Sequence, residues 1–134
     1  MTIKDHLLYD DNGKQVTFNN TPNKAGKYIP QYLIMHYTAA TIAQSSINWF
    51  MNKDAKASAH LLIDKDGKVT QFAPFNIVTW HAGVSQWNGI NGLNQHSIGI
   101  EIVNGGRLQK SGSSWICPTD RKVVPEDDVV NAKT

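Results

Sequence analysis

The run YLIMHY, residues 32–37, constrains this chain more than any other stretch. Five apolar or aromatic residues around a single histidine predict a short strand buried on both faces, the type found at the centre of a parallel or mixed sheet. Thr41 is placed to cap a helix over 42–52, in which Ala43, Ile47, Phe50 and Met51 recur at i, i+4, i+7 and i+8. In SAHLLIDKDGKVTQFAP, two β-rich runs meet at Asp66-Gly67, a pair that favours a hairpin turn. The stretch SIGIEIVN alternates strictly, with Ile98, Ile100 and Ile102 facing one way and Ser97, Gly99, Glu101 and Val103 the other. Between hairpin and strand, VTWHAGVSQWNGINGLN is rich in Gly and Asn and reads as loop. Strands interleaved with a helix give an α/β fold with a small, central mixed β-sheet.

At 134 residues the chain is read as one domain, 1–134, in which residues 1–30, rich in Asn, Lys, Gly and Pro, form a lead-in segment laid over the surface. Thirteen Lys and Arg against eleven Asp and Glu give a formal charge of +2, too mild to imply a nucleic-acid or membrane partner. The N-terminal stretch has no apolar leader core and no run is long enough for a membrane span. The expectation is a soluble chain that stays in the cytoplasm or leaves by a signal-independent route. Cys117, the only cysteine, excludes an internal disulfide and fits a reducing compartment. Near the other end, VPEDDVVNAKT reads as the start of a helix, with Pro125 at its first position and Glu126, Asp127 and Asp128 against the positive end of the dipole.

Four residues could carry chemistry. His36 ends a strand, where open α/β sheets bring polar side chains to a ligand; a core histidine satisfied by a carbonyl is the competing reading. Glu101 interrupts an apolar strand on a face of small neighbours, which leaves room for water or substrate in front of a general base; the competing reading is the solvated face of an edge strand. His60 sits in a hairpin strand and reads as structural. His81 lies in a Gly-flanked loop beside Trp80, where aromatic faces can hold a sugar ring. The spacing of the histidines matches no local metal signature. His6, His96 and Cys117 read as unremarkable.

Taken in order, LIMHYTAA, SAHLLIDKDGKVTQFAP and TWHAGVSQWNGINGLNQHSIGIEIVN resemble the zinc-dependent N-acetylmuramoyl-L-alanine amidases, which share a fold with the peptidoglycan recognition proteins. The resemblance runs from about residue 28 to about residue 130. It implies a central mixed sheet flanked by helices, with a groove for peptidoglycan or a muropeptide. It further implies hydrolysis of the amide between the lactyl group of N-acetylmuramic acid and the L-alanine of the stem peptide. By the same resemblance His36 is a zinc ligand, Glu101 acts on the attacking water, Trp80, His81, Ala82 and Gly83 line the groove, and Asn104 touches substrate.

The family draws its other two zinc ligands from a late segment resembling GHxDIxPGRKxDPG, which has no counterpart in this sequence. One expected Zn²⁺ ligand is therefore present and two are absent, as in an amidase domain cut short before its C-terminal part. Three readings stay open: an incomplete domain that a C-terminal segment or another chain completes; a site in which His60, His81 or Cys117 substitutes; and a module that binds muropeptide without cutting it, or an inactive fragment.

Overall fold

The computed structural model describes residues 1–131. Fourteen short strands are present: β1 (Thr2–Lys4), β2 (Leu7–Tyr9), β3 (Thr17–Phe18), β4 (Lys24–Lys27), β5 (Tyr32–Tyr37), β6 (Leu61–Ile63), β7 (Val69–Gln71), β8 (Ile77–Thr79), β9 (Gln86–Trp87), β10 (Ile90–Asn91), β11 (Ser97–Ile102), β12 (Gln109–Ser111), β13 (Ser114–Ile116) and β14 (Val123–Val124). One α-helix, α1 (Ala43–Met51), follows β5. The main sheet has five strands in the order β3-β7-β6-β11-β5. β11 runs parallel to both β5 and β6, while β6 and β7 form the antiparallel hairpin around Gly67, whose φ of 84° is the positive value that such a turn requires. No described helix is long and apolar enough to cross a membrane.

Side chains divide between two cores according to the strand period of two. On one face Leu62, Phe72, Ala59 and Val103 pack beneath Phe50 of α1, with Ala43 and Ile47 beside them. On the other, Leu61, Phe75 and Leu8 pack with Ile98 and Ile100. The alternation read in SIGIEIVN, the helix near 42–52 and the hairpin are all found.

Five expectations are corrected. β5 is an edge strand, not a central one: Leu33, Met35 and Tyr37 are 59%, 51% and 60% exposed, while Tyr32, Ile34 and His36 on the opposite face are half-buried. The apolar run hid this because both faces carry large side chains. The lead-in segment is built into the fold, since β3 extends the main sheet beside β7 and β4 pairs antiparallel with β8. Thr41 does not cap α1; its amide and hydroxyl both donate to Asp120 Oδ2, at 2.7 and 2.6 Å, and Ile42 takes the cap position with no side-chain bond. After Pro125 the chain makes a single 3-10 turn, Glu126–Asp128, and is extended by Val129; residues 132–134 of the expected helix lie outside the described residues. α1 is also the only α-helix among the described residues, where flanking helices were expected.

His60, with no exposed surface, ties the layers together. Its Nδ1 accepts the Gly99 amide at 3.1 Å and the Thr79 hydroxyl at 3.0 Å, and its Nε2 donates to the Ile77 carbonyl at 2.8 Å. Both ring nitrogens are satisfied, as a buried imidazole requires. Burial, with the nearby His81 adding to it against the Ile77 bond, pushes the His60 pKa down to about 4. Because the unfolded chain protonates this group near 6.5, the unfolded state binds more protons as pH falls from about 6.5 to about 4. The stability His60 contributes at neutral pH is therefore lost across that window, by about 3 kcal/mol. Urea unfolding from pH 7 to pH 4 measures this, and His60→Gln, although less stable at pH 7, should show a flatter dependence.

Candidate active site

The register of β11 against β5 places Glu101 directly beside His36, and that of β11 against β6 places Leu62 on its other flank. Glu101 is thus on a central strand, which removes the edge-strand reading. The same parity turns Ser97, Gly99 and Glu101 toward the α1 side of the sheet. A groove of about 470 Å³ opens there, with Tyr37, Trp49, Trp80, His81, Glu101 and Thr119 among its walls.

The loop after β8 is held by backbone bonds to side chains from elsewhere. Asn94 Oδ1 accepts the amides of His81 and Ala82 at 3.0 and 2.8 Å. The Trp80 amide donates to Ser58 Oγ at 3.0 Å, and the Ser58 amide returns a bond to the Trp80 carbonyl. These bonds fix where the Trp80 and His81 side chains leave the chain. His81 then lies across Gly99: a Cβ at Gly99 would stand 2.3 Å from Cγ of His81, so only glycine leaves room for the ring. His81 Nδ1 comes within 2.9 Å of His36 Nε2, with the rings edge-on at 66°.

Glu101 has a different environment. Its Oε2 is buried without a hydrogen-bond partner among the described residues. Burial pushes its pKa up to about 7. A carboxyl poised there, at the wall of an open groove, can exchange a proton with a bound molecule near neutral pH. Burial lowers the pKa of His36, and lowers that of His81 to about 4, so both rings are neutral at pH 7.

Of the residues singled out in the sequence, Trp80, His81 and Glu101 wall the groove and His36 adjoins it through His81. Ala82 and Gly83 are not among the wall residues; Ala82 serves through its amide to Asn94. Asn104 lies at the end of β11, where its Oδ1 accepts the Gly106 amide at 2.7 Å. Sequence reasoning missed Trp49, Asn94 and Ser97. Trp49 left one signal: it falls off the apolar stripe of α1 and is 54% exposed, unusual for so large an aromatic surface.

A zinc ion does not fit the described residues by themselves. A catalytic zinc needs three protein ligands, and no group of three His, Cys, Asp or Glu side chains converges among them. The substitutes are otherwise engaged. Both nitrogens of His60 are hydrogen-bonded, and buried Cys117 donates to the carbonyls of Ala39 and Gly105. His36 and His81 direct one nitrogen each at the other.

Residues 25–129 match the family described as N-acetylmuramoyl-L-alanine amidase. Among curated proteins, the 1,6-anhydro-N-acetylmuramyl-L-alanine amidase AmpD of Escherichia coli (strain K12) is 51% identical over 47 residues, 35% of this chain and 26% of that protein. A crystal structure of an AmpD derivative superposes with a TM-score of 0.68 over 78% of this chain and 66% of its own, at 24% identity, which establishes the likeness of fold. The E. coli amidase AmiD, solved in complex with the substrate anhydro-N-acetylmuramic acid-L-Ala-D-gamma-Glu-L-Lys, is 30% identical with a TM-score of 0.53, over 84% of this chain and 46% of that one. The matched part thus spans between a quarter and two thirds of the length of these relatives.

The contact between Gly99 and His81 yields a direct test. Gly99→Ala forces the ring off the strand and should cost about 2 kcal/mol in chemical denaturation, in the range of overpacked sites. Gly26→Ala, where an added Cβ meets nothing within 4 Å, serves as the control and should change stability by less than about 0.5 kcal/mol.

Proposed function

Because the chain belongs to the N-acetylmuramoyl-L-alanine amidase family, we propose that it acts on muropeptides, hydrolysing the amide that joins the lactyl group of N-acetylmuramic acid to the first L-alanine of the stem. The observation that carries this reading is Glu101: a carboxylate with an unpartnered buried oxygen and a pKa raised to about 7, at the wall of a groove with aromatic sides.

Amide hydrolysis needs a proton removed from water and a proton delivered to a poor leaving group. Glu101 serves both. As carboxylate it takes a proton from the water that attacks the lactyl carbonyl; as carboxylic acid it returns that proton to the alanine nitrogen when the carbon–nitrogen bond breaks. A group with a pKa near 7 is suited to both halves of the cycle. Trp49, Trp80 and Tyr37 offer flat apolar surface against which a sugar ring packs. The relative AmiD was solved with a substrate of this class, an anhydro-muramic acid carrying a short peptide. Zinc belongs to the proposal only with ligands additional to those that the described residues bring together, and no step above passes through it.

A second reading, a groove that binds muropeptide without cutting it, is favoured by the lack of a three-ligand group among the described residues. Zinc-supplemented protein incubated with a muramoyl-peptide separates the two: release of free peptide supports the amidase, and retention of intact muropeptide with no release supports the binding module.

Under the amidase reading, Glu101→Gln lowers turnover by roughly 10²- to 10⁴-fold, the usual contribution of a general base, while muropeptide affinity stays within a few-fold. Normal turnover in that variant removes Glu101 from the reaction. In the wild type, kcat/KM rises with pH through about 7 as Glu101 loses its proton, and the residual rate of the variant lacks that limb.

A further inference from the structure

A chain of hydrogen bonds behind the groove decides which nitrogen of His36 carries a proton. It starts at Ser97, whose hydroxyl donates to the Leu93 carbonyl at 2.6 Å. Having spent its one hydrogen there, Ser97 Oγ can offer a neighbour only lone pairs. Nε2 of His81 lies 3.2 Å from that oxygen and 3.3 Å from the Ser97 carbonyl. Both neighbours are acceptors, so Nε2 of His81 must hold the hydrogen. In the neutral ring Nδ1 is then bare, and a bare nitrogen can only accept. Its partner at 2.9 Å is Nε2 of His36, which must therefore be the donor. With its hydrogen on Nε2, neutral His36 carries its free lone pair on Nδ1, which makes no hydrogen bond to a described residue.

We propose that Ser97 and His81 are positioning residues for His36: together they lock it as the Nε2–H tautomer, so that Nδ1 is the nitrogen left with a free lone pair to offer a ligand. His81 thus serves through His36, where sequence reasoning had it as a wall contact or a substitute metal ligand. Gly99 belongs to the same device, since its missing side chain is what lets the His81 ring reach both Ser97 and His36. His60 holds that glycine in place, its Nδ1 accepting a hydrogen bond from the Gly99 amide. The tautomer follows from the hydrogen bonds alone. That the ligand is a substrate N–H in an amidase reaction rests on the function proposed above.

Long-range proton–nitrogen correlation spectra of the metal-free, nitrogen-15-labelled full chain at pH 7.5 test this without any turnover. The expected result is the Nε2–H pattern for both His36 and His81, with a through-hydrogen-bond coupling between His36 Nε2 and His81 Nδ1. In His81→Phe the lock is lost and His36 should show the mixed tautomers of a free imidazole. His81→Gln, whose side-chain oxygen can accept in place of Nδ1, should restore the single form. An Nδ1–H pattern for His36 in the wild type overturns the proposal, as does an unchanged single tautomer in a folded His81→Phe. If that variant does not fold, the wild-type coupling decides, its absence counting against the lock. A locked tautomer in a protein that releases no peptide would leave this inference standing and remove the amidase reading alone.

Discussion

The parallel ladder between β5 and β11 is the constraint on which the site depends. Its register sets Glu101 beside His36 and Gly99 beside Ile34, and parity puts Ser97, Gly99 and Glu101 on the face beneath the groove. A slip of one residue would exchange that face for Ile98, Ile100 and Ile102, burying the carboxylate in the second core. The ladder is guarded against such a slip from both sides. Ile98 and Ile100 gain from their packing with Leu61 and Phe75, and the His60 bond to the Gly99 amide exists in only one register.

Buried polar groups are otherwise satisfied with care around this ladder. Asn23, 1% exposed, spends its side-chain amide on the carbonyls of Phe50, Asn52 and Ala57 and so anchors the end of α1. Gln71, fully buried, bridges the Leu8 amide and the carbonyls of His6 and Ala73, which stitches the first hairpin to the sheet. Against that background the lone oxygen of Glu101 is an exception, and an unpaired buried acceptor is costly enough that a fold built for stability alone would fill or remove it. Function is the economical account of why it stays.

Elements that depend on neighbours in sequence were legible: the Asp66-Gly67 turn, the stripe of α1 and the alternation of β11 each follow from a local pattern. Positions that depend on distant partners were not. YLIMHY carries the composition of a central strand, yet which strands flank it is decided by β6 and β11, and no periodicity within six residues can report that. β3 and β4 are two and four residues long and exist only because β7 and β8 offer them edges. Thr41 has the right side chain for a cap, but Asp120, from the far end of the chain, offers it a better acceptor. His36 and Glu101 stood out because a polar residue in an apolar strand is a local anomaly. Asn94 and Ser97 are polar residues in a polar loop or at a strand start, and only their bonds distinguish them.

The parallel geometry of β11 with β5 also bears on how the chain reaches its native state. A hairpin such as β6–β7 closes a few residues and can form early, whereas β5 and β11 come from opposite halves of the chain with α1, the hairpin and the long loop between them. The entropy of closing so large a loop is spent before any pairing rewards it, which makes such ladders slow to form. Glu101 and His36 therefore meet only when most of the domain is already in place. A chain in which only the hairpin and the helix have formed therefore has no site, because the two strands that bring Glu101 and His36 together are not yet paired.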